Sequence, residues 1–336
     1  MLLRALDEAV VSQGLPGRRV LVACSAGVDS TVLFHALHAL ARRRSLGLAL
    51  GHVHHGLRGE EADRDEAAVC ELAAKHGVPV AVTRVDVRAL RSGRSSRERP
   101  TVQEAARQAR YAALATQARE LGADCIATAH TRDDQAETVL LRVLRGAGPD
   151  ALGGIPERSP DGRIVRPLLG VGRGEIVEYA RATGLSWRED GSNASRAYAR
   201  NRLRHDWLPG LEREFNPRLL RAVADLAEAV RRDADWIEAL VAAEADRWTE
   251  PEGSTLRIAI EPWAAMPEAL ARRVVRLVLR RAGGGRDVSR RHLLRVLTYL
   301  RTARADTYLQ LPGGLGLARE REAFRLGTAC TPRGSC

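Results

Sequence analysis

Residues 19–30 have the sequence RVLVACSAGVDS, in which an apolar run is followed by a short loop of small and polar residues. The run 19–24 predicts a buried β-strand, and the apolar spacing of residues 30–43 predicts a helix after the loop. Small residues between a strand and a helix let backbone N–H groups surround phosphate oxygens, at a helix end that carries partial positive charge. The stretch therefore predicts a phosphate-binding turn, with an ordinary strand–helix turn as the alternative.

Strands and helices continue to alternate as far as residue 145. Thr101 and Glu104 have the spacing of a capping box at the start of one of these helices. Strands that alternate with helices form a parallel sheet covered on both faces. An α/β domain is therefore expected here, and the motifs quoted below extend it, as a catalytic domain, over residues 1–205. Its further strands are predicted at residues 46–53, 78–85 and 124–129, and its further helices at 60–76, 101–121 and 133–145.

The pattern changes after Gly146. Residues 211–248 are expected to form one or two connecting helices, and two amphipathic helices follow them. Residues 308–326 have the pattern of a strand, a turn and a second strand, with Pro312-Gly313-Gly314 as the turn. We therefore expect a helical connector over residues 206–248 and a small α+β domain over residues 249–336.

The composition excludes several classes of protein. No apolar run in the chain reaches the ~18 residues of a membrane span, and the N-terminus lacks the apolar segment of a signal peptide. The five cysteines include no close-spaced pair, which argues against a disulfide framework, a zinc ribbon and a CxxC site. We therefore expect a protein of the reducing cytoplasm that does not enter a membrane.

The net charge of +11 is concentrated in three arginine-rich stretches. Residues 272–304 hold eleven Arg and one acid, residues 88–99 hold five Arg and one acid, and residues 196–204 hold four Arg and no acid. Separated basic patches of this kind suggest binding to a polyanion such as nucleic acid. A solvated arginine-rich surface is the alternative that composition alone leaves open.

Three further segments place polar side chains where strands end or helices begin. The first segment, HVHHGLR at residues 52–58, predicts the wall of a nucleotide pocket at the end of a strand. A zinc site is the alternative, although no Cys or carboxylate lies at ligand spacing. In the second, Glu104, Arg107 and Tyr111 share one helical face, as they would in a binding face or a salt-bridge ladder. The segments are HVHHGLR at residues 52–58, EAARQARY at 104–111 and TAHTRDDQAET at 128–138.

The third segment contains two carboxylates three residues apart. Asp134 and Glu137 share a face of the predicted helix, close to His130. Two carboxylates in this position could bind a metal ion or an ammonium group, and helix capping is the alternative. Asp29 lies inside the phosphate-binding turn, where a carboxylate fits only if a metal ion bridges it to the phosphates.

The loop SAGVDS resembles the SGGxDS signature of N-type ATP pyrophosphatases. Ala26 stands where that signature has its first Gly, and a cost of ~1 kcal/mol is expected if the position needs a positive φ. The three segments resemble those of tRNA(Ile)-lysidine synthetases within this superfamily, and LPGG at residues 311–314 is similar to the family's C-terminal substrate domain. Further similar motifs are LRG at 144–146, RPLL at 166–169, WREDGSN at 187–193 and YARNRLR at 198–204.

The resemblance implies a fold of the adenine nucleotide α-hydrolase type, in which a parallel sheet carries helices on both faces. It also implies a two-step reaction on an isoleucine tRNA with a CAU anticodon. The O2 atom of the wobble cytidine attacks the α-phosphorus of ATP, and pyrophosphate leaves. The ε-amine of free L-lysine then attacks carbon 2, and AMP leaves. The product, lysidine, pairs with A instead of G.

The residues that match the family's motifs fit the demands of this reaction. Asp29 and Asp134 would hold Mg²⁺, and Asp134 and Glu137 would bind the lysine ammonium. His130 or one of these acids would accept the proton of lysine, and Arg107 and Arg110 would stabilise negative charge. The ATP-binding residues would be Ser25, Ala26, Gly27, Val28, Asp29, Ser30 and His52. The tRNA-binding residues would be Arg200, Arg202, Arg204, Arg272, Arg276, Arg290 and Arg291, and a homodimer is expected.

Three other functions compete with this one. A tRNA 2-thiocytidine synthetase would need cysteines that bind a cluster or handle sulfur, and the chain has no CxxC. An amidotransferase-type synthetase such as GMP synthetase would need an ammonia source, and the basic stretches argue against it. An RNA-binding protein with a decayed nucleotide loop is weakly supported by Ala26. The intact Asp29, His130, Asp134 and Glu137 argue against such decay.

Overall fold

The structure is a computed structural model that describes residues 1–54, 56, 59–86, 101–188, 196, 198–284 and 288–328. The basic stretch 88–99, part of the HVHHGLR segment, most of the WREDGSN segment, and the side chains of Gln103 and Asp150 lie outside the described residues. The chain divides into two compact units, Met1–Arg231 and Arg232–Cys336. The separate helical connector expected over residues 206–248 stays a prediction.

The first unit is built on a five-stranded parallel sheet, as the alternation of strands and helices predicts. The strands are β1 (Arg19–Ala23), β2 (Gly47–His54), β3 (Val80–Arg84), β4 (Cys125–Ala127) and β5 (Ile164–Val165). Their order across the sheet is β3-β2-β1-β4-β5. Because the order reverses between β1 and β4, the carboxyl ends of these two strands border a crevice of the kind that binds ligands in open α/β sheets.

Both faces of the sheet are covered. Val20 and Val22 of β1 lie in the same apolar cluster as Phe34, whereas Leu21 packs in a separate cluster with Leu114. Because successive residues of a strand point to opposite faces, β1 is apolar throughout only when both faces are buried. The covering helices are α1 (Leu2–Ser12), α2 (Val28–Arg44), α3 (Glu60–His76), α4 (Val102–Glu120), α5 (Arg132–Leu144) and α6 (Arg173–Ala182).

Gln117 of α4 joins the helix to two strands. Its Nε2 atom donates to the carbonyl oxygen of His52 and to Oγ1 of Thr83, both at 2.8 Å. A Cβ atom on Gly51 would lie 2.6 Å from Oε1 of Gln117. A side chain at Gly51 would therefore displace the Gln117 amide that joins α4 to β2 and β3.

Helical segments follow the sheet. They are α7 (Ala199–Arg202), a π-helical turn at Leu203–Trp207, α8 (Leu208–Glu214) and α9 (Leu219–Trp248). The prediction of one or two helices over residues 211–248 is confirmed, although α8 begins before residue 211. A π-helical turn is uncommon and often lies at a functional site.

The second unit combines helices with an antiparallel sheet of order β6-β7-β10-β9-β8. The sequence predicts only part of this sheet, because β6 has the sequence TEPE, with Pro251 in an edge strand and little apolar alternation. The elements are β6 (Thr249–Glu252), β7 (Thr255–Ile258), α10 (Pro262–Ala265), α11 (Glu268–Arg281), α12 (Arg290–Thr302), β8 (Thr307–Gln310), β9 (Gly316–Arg319) and β10 (Phe324–Gly327).

The core of the second unit is formed by the apolar faces of its helices and the inner face of its sheet. Trp263 is fully buried and donates from Nε1 to the carbonyl oxygen of Ala259 at 2.8 Å. Val274 of α11, Leu297 of α12 and Phe324 of β10 belong to the same cluster. Among the described ranges of the whole chain, we find no helix with the length and apolar character that crossing a membrane requires.

Candidate active site

The loop after β1 folds back on itself at the crevice. The Oγ atom of Ser30 accepts a hydrogen bond from the N–H of Ser25 at 3.1 Å and donates to the carbonyl oxygen of Gly27 at 3.0 Å. Gly27 has extended backbone angles and caps the start of α2. The first turn of a helix directs its N–H groups outward, which is the arrangement that binds phosphate. Phosphate binding by this loop stays a prediction.

Ala26 has a left-handed backbone conformation, with φ of 62°. Its side chain is buried, and its carbonyl oxygen accepts a hydrogen bond from the N–H of Arg188 at 2.9 Å. The position therefore needs the positive φ that the SGGxDS signature provides with glycine. An alanine here costs ~1 kcal/mol in backbone strain.

Asp29 lies in the first turn of α2. Its Oδ2 atom accepts a hydrogen bond from Nη1 of Arg173 at 2.9 Å, whereas Oδ1 is buried without a hydrogen-bond partner among the described residues. Burial raises the pKa of Asp29, and the charge of Arg173 opposes this rise. Arg173 is not predictable from the sequence, because an arginine at a helix start carries no signal until its partner is known.

His52 lies at the end of β2, beside the start of the loop. Its Nδ1 atom is 2.9 Å from the carbonyl oxygen of Cys24, so Nδ1 carries the proton and Nε2 is left as an acceptor. Burial lowers the pKa of His52 and favours the neutral ring. Its part in ATP binding stays a prediction.

Helix α3 places two carboxylates near His54, although none lies at ligand spacing from it in the sequence. The Nε2 atom of His54 is 3.3 Å from Asp63, and Glu66 is close enough for the three groups to surround a metal ion. However, Nδ1 of His54 accepts a hydrogen bond from the N–H of Gly56, so a neutral ring carries its proton on Nε2. Metal-binding histidines instead donate from their second nitrogen. Arg84 pairs with both carboxylates, and zinc is disfavoured.

The start of α5 carries the two carboxylates that the sequence places on one face. The Oδ2 atom of Asp134 accepts a hydrogen bond from the N–H of Thr131 at 2.8 Å, so capping accounts for this oxygen. Glu137, one turn further along, is 1% exposed. Helix capping does not explain a buried carboxylate at this position.

Arg200 and Arg204 neutralise these two carboxylates, and we call them the paired arginines. The Nε atom of Arg200 is 2.6 Å from Glu137, and its Nη2 atom is 2.9 Å from Asp134. The Nε atom of Arg204, on the π-helical turn, is 2.5 Å from Glu137. Both arginines are expected from the sequence to contact tRNA, but their guanidinium groups point inward here. Their contact with tRNA stays a prediction.

His130 follows β4 and lies near the same crevice. Its Nδ1 atom is 2.9 Å from Oγ1 of Thr128. Burial lowers the pKa of His130 to about 4, the charges of Arg166 and Arg110 act in the same direction, and the charge of Asp134 opposes them. The imidazole is therefore neutral at pH 7.

Helix α4 carries the two arginines of the second segment. The predicted capping box is confirmed, since Glu104 accepts a hydrogen bond from the N–H of Thr101 at 2.8 Å. Glu104 is thus held at the helix end and forms no salt-bridge ladder. Arg107 and Arg110 lie 5.0 and 5.4 Å from the ring centre of Tyr111. Within the described ranges, neither arginine has a carboxylate at ion-pair distance.

The second unit exposes part of the predicted nucleic-acid surface. Arg276 on α11 and Arg290 and Arg291 on α12 are exposed, and none has an ion partner in the described part of the chain. Arg272 lies 3.7 Å from Glu268 on the same helix. The two helices therefore bury one face and present arginines on the other. Binding of tRNA by these four arginines stays a prediction.

The fold and the site together define the class of protein. The family described as PP-loop domain matches residues 2–211. The U34-tRNA thiolase NcsA from Methanococcus maripaludis, solved with its 4Fe-4S cluster, has the same fold: the TM-score is 0.56 at 18% identity, over 68% of this chain and 78% of that one. The chain is therefore an ATP-utilising PP-loop protein, and the predicted fold class is confirmed.

Further matches identify the family within this class. The family described as TilS substrate binding domain matches residues 258–323. The tRNA(Ile)-lysidine synthase of Symbiobacterium thermophilum is 38% identical over 94% of this chain and 67% of its own length. The enzyme of that name from Salinispora tropica is 38% identical over 94% of this chain and 92% of its own length. The chain belongs to the tRNA(Ile)-lysidine synthase family, as the motifs imply.

Proposed function

We propose that this protein joins free L-lysine to carbon 2 of the wobble cytidine of a CAU-anticodon isoleucine tRNA. ATP adenylates the base first, and lysidine, AMP and pyrophosphate are the products. The observation that carries the proposal is the carboxylate pair of half-buried Asp134 and buried Glu137, of which Asp134 is close enough to Asp29 in the loop after β1 to raise its pKa. A carboxylate that is 1% exposed beside a nucleotide site is suited to bind a cationic second substrate.

The first step takes place at the loop after β1. The O2 atom of cytidine attacks the α-phosphorus, a new O–P bond forms, and the bond from that phosphorus to pyrophosphate breaks. The loop 25–30 and the start of α2 would hold the departing pyrophosphate through backbone N–H groups. Arg107 and Arg110, which have no carboxylate at ion-pair distance within the described ranges, would stabilise the charge on the phosphate oxygens.

The residues of the site fit a magnesium ion at Asp29 better than at Asp134. The Oδ1 atom of Asp29 is buried and has no partner among the described residues, so it can ligate a hard cation. Both oxygens of Asp134 already accept hydrogen bonds, from Thr131 and from Arg200. When bound, Mg²⁺ would offset negative charge on the phosphates.

The second step needs a lysine amine beside the adenylated base. We infer that the lysine ammonium takes the place of a guanidinium group of the paired arginines on Asp134 and Glu137. The ammonium must lose a proton before its nitrogen attacks carbon 2. His130, with a pKa of about 4, is no stronger a base than a carboxylate. Because base strength does not separate them, the distance to the lysine ammonium decides which group accepts the proton. The carboxylates that hold the ammonium are therefore the better proton acceptors.

The remaining partners follow from the same proposal. The exposed Arg276, Arg290 and Arg291 of the second unit would hold phosphates of the tRNA, with Arg272 beside them. Arg202 of α7, near the site, would do the same. A reaction that consumes tRNA, ATP and lysine places the enzyme in the cytoplasm, and a homodimer stays a prediction.

The experiment that tests this proposal measures pyrophosphate and AMP release from ATP and Mg²⁺ with a CAU-anticodon isoleucine tRNA transcript, with and without lysine. We expect pyrophosphate release to require the tRNA, and lysine to become attached to it. An isoleucine tRNA with a GAU anticodon is the matched control and should support neither. Release that needs the tRNA but yields no attached lysine would assign the protein to another tRNA modification.

A further inference from the structure

Arg166, the first residue of the RPLL motif, lies at the same sheet edge as His130, and the sequence assigns it no role. It directly follows β5, which pairs with β4, and the N–H of Thr128 donates to the carbonyl oxygen of Val165 at 3.0 Å. The segments that follow β4 and β5 therefore leave the sheet side by side. Arg166 is 5% exposed, which is rare for an arginine.

The guanidinium group of Arg166 is only partly satisfied. Its Nη1 atom donates to the carbonyl oxygen of Pro156 at 2.7 Å, whereas Nε is buried without a partner. In the described part of the chain, no carboxylate lies at ion-pair distance from it. A buried charge without a counter-ion is costly, so its retention points to an anion that binds there.

The neighbours of Arg166 add positive charge and a second unsatisfied donor. Burial lowers the pKa of Arg166, Tyr111 opposes this decrease, and the charge of Arg107 adds to it. The hydroxyl group of Tyr111 is buried close to the Arg166 guanidinium, and among the described residues it makes no hydrogen bond of good geometry. Arg107 and Arg110 both lie over the Tyr111 ring. Three arginines and one phenol hydroxyl are thus gathered without a negative charge at ion-pair distance.

We propose that Arg166 and the Tyr111 hydroxyl bind the α-phosphate of the nucleotide throughout the reaction. This inference rests on the proposed function and adds two residues to it. The α-phosphate is the one phosphate of the nucleotide that stays in the site in both steps: it belongs to ATP, then to the adenylated base, then to the departing AMP. Donors fixed in a buried pocket stabilise such a charge without reorganising.

The direct test compares AMP with adenosine, because the two ligands differ only in the phosphate. Isothermal titration of the full chain should show that Arg166→Met weakens AMP binding by about 10-fold to 100-fold and leaves adenosine binding unchanged. Tyr111→Phe should weaken AMP binding less, and Arg166→Lys should fall between wild type and Arg166→Met. Equal AMP affinity in wild type and Arg166→Met would overturn the inference.

Arg158→Met is the matched control for a purely structural role. Arg158 also donates to backbone carbonyls, those of Gly162 and Gln13, but it lies outside the site. Because Arg166 is a buried charge without a counter-ion, Arg166→Met should lower the melting temperature no more than Arg158→Met does, and AMP affinity should change only in Arg166→Met. If both variants weaken AMP binding equally, Arg166 acts through folding and the inference is wrong.

A turnover measurement separates this inference from the proposed function. If wild type releases pyrophosphate with the tRNA, Arg166→Met should slow that release by about 100-fold at saturating ATP and tRNA. A variant that loses only tRNA affinity would show that the phosphate belongs to the tRNA backbone, which overturns the assignment to the nucleotide. If wild type binds AMP through Arg166 but modifies no tRNA, the proposed function fails and the phosphate site stands.

Discussion

Two groups of arginines lie near the crevice of the first unit, and they differ in what neutralises them. The paired arginines, Arg200 and Arg204, contact two carboxylates at the start of α5 at distances as short as 2.5 Å. Arg107, Arg110 and Arg166, which we call the unpaired arginines, have no carboxylate at ion-pair distance in the part of the chain that the structure describes. The same side chain therefore has two roles within one site.

This difference indicates which ligand each side of the site receives. Cations that sit on buried carboxylates can be exchanged for another cation, here the lysine ammonium. Guanidinium groups without a counter-ion instead need an anion, here the phosphates of the nucleotide. The crevice would thus hold lysine on its acidic side and ATP on its basic side, with His130 neutral near both.

The largest expected effect on stability comes from breaking the paired side. Arg204→Gln leaves Glu137 with Arg200 alone, so we expect a loss somewhat below the ~3–5 kcal/mol of a fully broken buried pair. Added lysine should then raise the melting temperature of the variant more than that of wild type, because the ammonium fills the vacated position. An equal lysine shift in both proteins would contradict exchange of cations at Glu137.

An exposed ion pair in the same unit provides the matched control. Arg196 lies 3.2 Å from Asp206, but its side chain is 71% exposed. Arg196→Gln should change the free energy of unfolding by at most ~1 kcal/mol, since water screens exposed pairs. It should not change the response to lysine.

A smaller effect is expected in the loop on the nucleotide side. Ala26→Gly should raise the free energy of unfolding by roughly 1 kcal/mol, because glycine relieves the strain of the positive φ. Denaturant titration measures this gain. In the control Gly27→Ala, φ is negative and a Cβ atom has room, so stability should change by less than ~0.5 kcal/mol. A loss of stability in Ala26→Gly would show that the alanine is not strained.

The smallest effect is a pH dependence that lies outside both sides of the site. His35 of α2 and His76 of α3 are near each other, with His38, Lys75 and Tyr179 around them. Burial lowers the pKa of His35 and of His76, and neighbouring positive charges act in the same direction. A lowered pKa means that the neutral rings stabilise the fold above pH 6.5, and that this stability is lost as the pH falls.

The variant His76→Gln tests this pH dependence without changing the active site. Melting temperatures between pH 7.5 and pH 5 should decrease less steeply in the variant than in wild type, by a few degrees at most. The response to lysine at pH 7.5 should be unchanged, because the cluster is not part of the site. Parallel curves for the two proteins would show that His76 does not contribute to this pH dependence.

The sequence predicts local features of this protein well. The strand at 19–24, the helices at 30–43 and 60–76 and the capping box at Thr101 all depend on neighbouring residues, and the structure confirms them. The hairpin of β6 and β7 is missed, because β6 contains Pro251 and no apolar alternation and β7 has only four residues. Strand β5 has only two residues, which is too few for a pattern.

Only those residues of the candidate site that belong to a sequence motif can be predicted from the sequence. Asp134, Glu137 and His130 stand in one segment, so sequence spacing brings them together. The inward direction of Arg200 and Arg204 depends on contacts between residues more than sixty positions apart, and a basic stretch looks the same whether or not it is paired. Arg166 is missed for a similar reason, since burial without a counter-ion is visible only in the folded chain.

The most direct test of this account separates the two half-reactions in Glu137→Gln. Rapid-quench measurements should show pyrophosphate release from ATP and tRNA at close to the wild-type rate, while attachment of lysine falls by about 100-fold. Glu175→Gln, which removes an acid paired with Arg132 at the start of α6, is the control and should affect neither step. Lysine attachment at the wild-type rate in Glu137→Gln, or an equal loss in both steps, would contradict a lysine site on the acidic side.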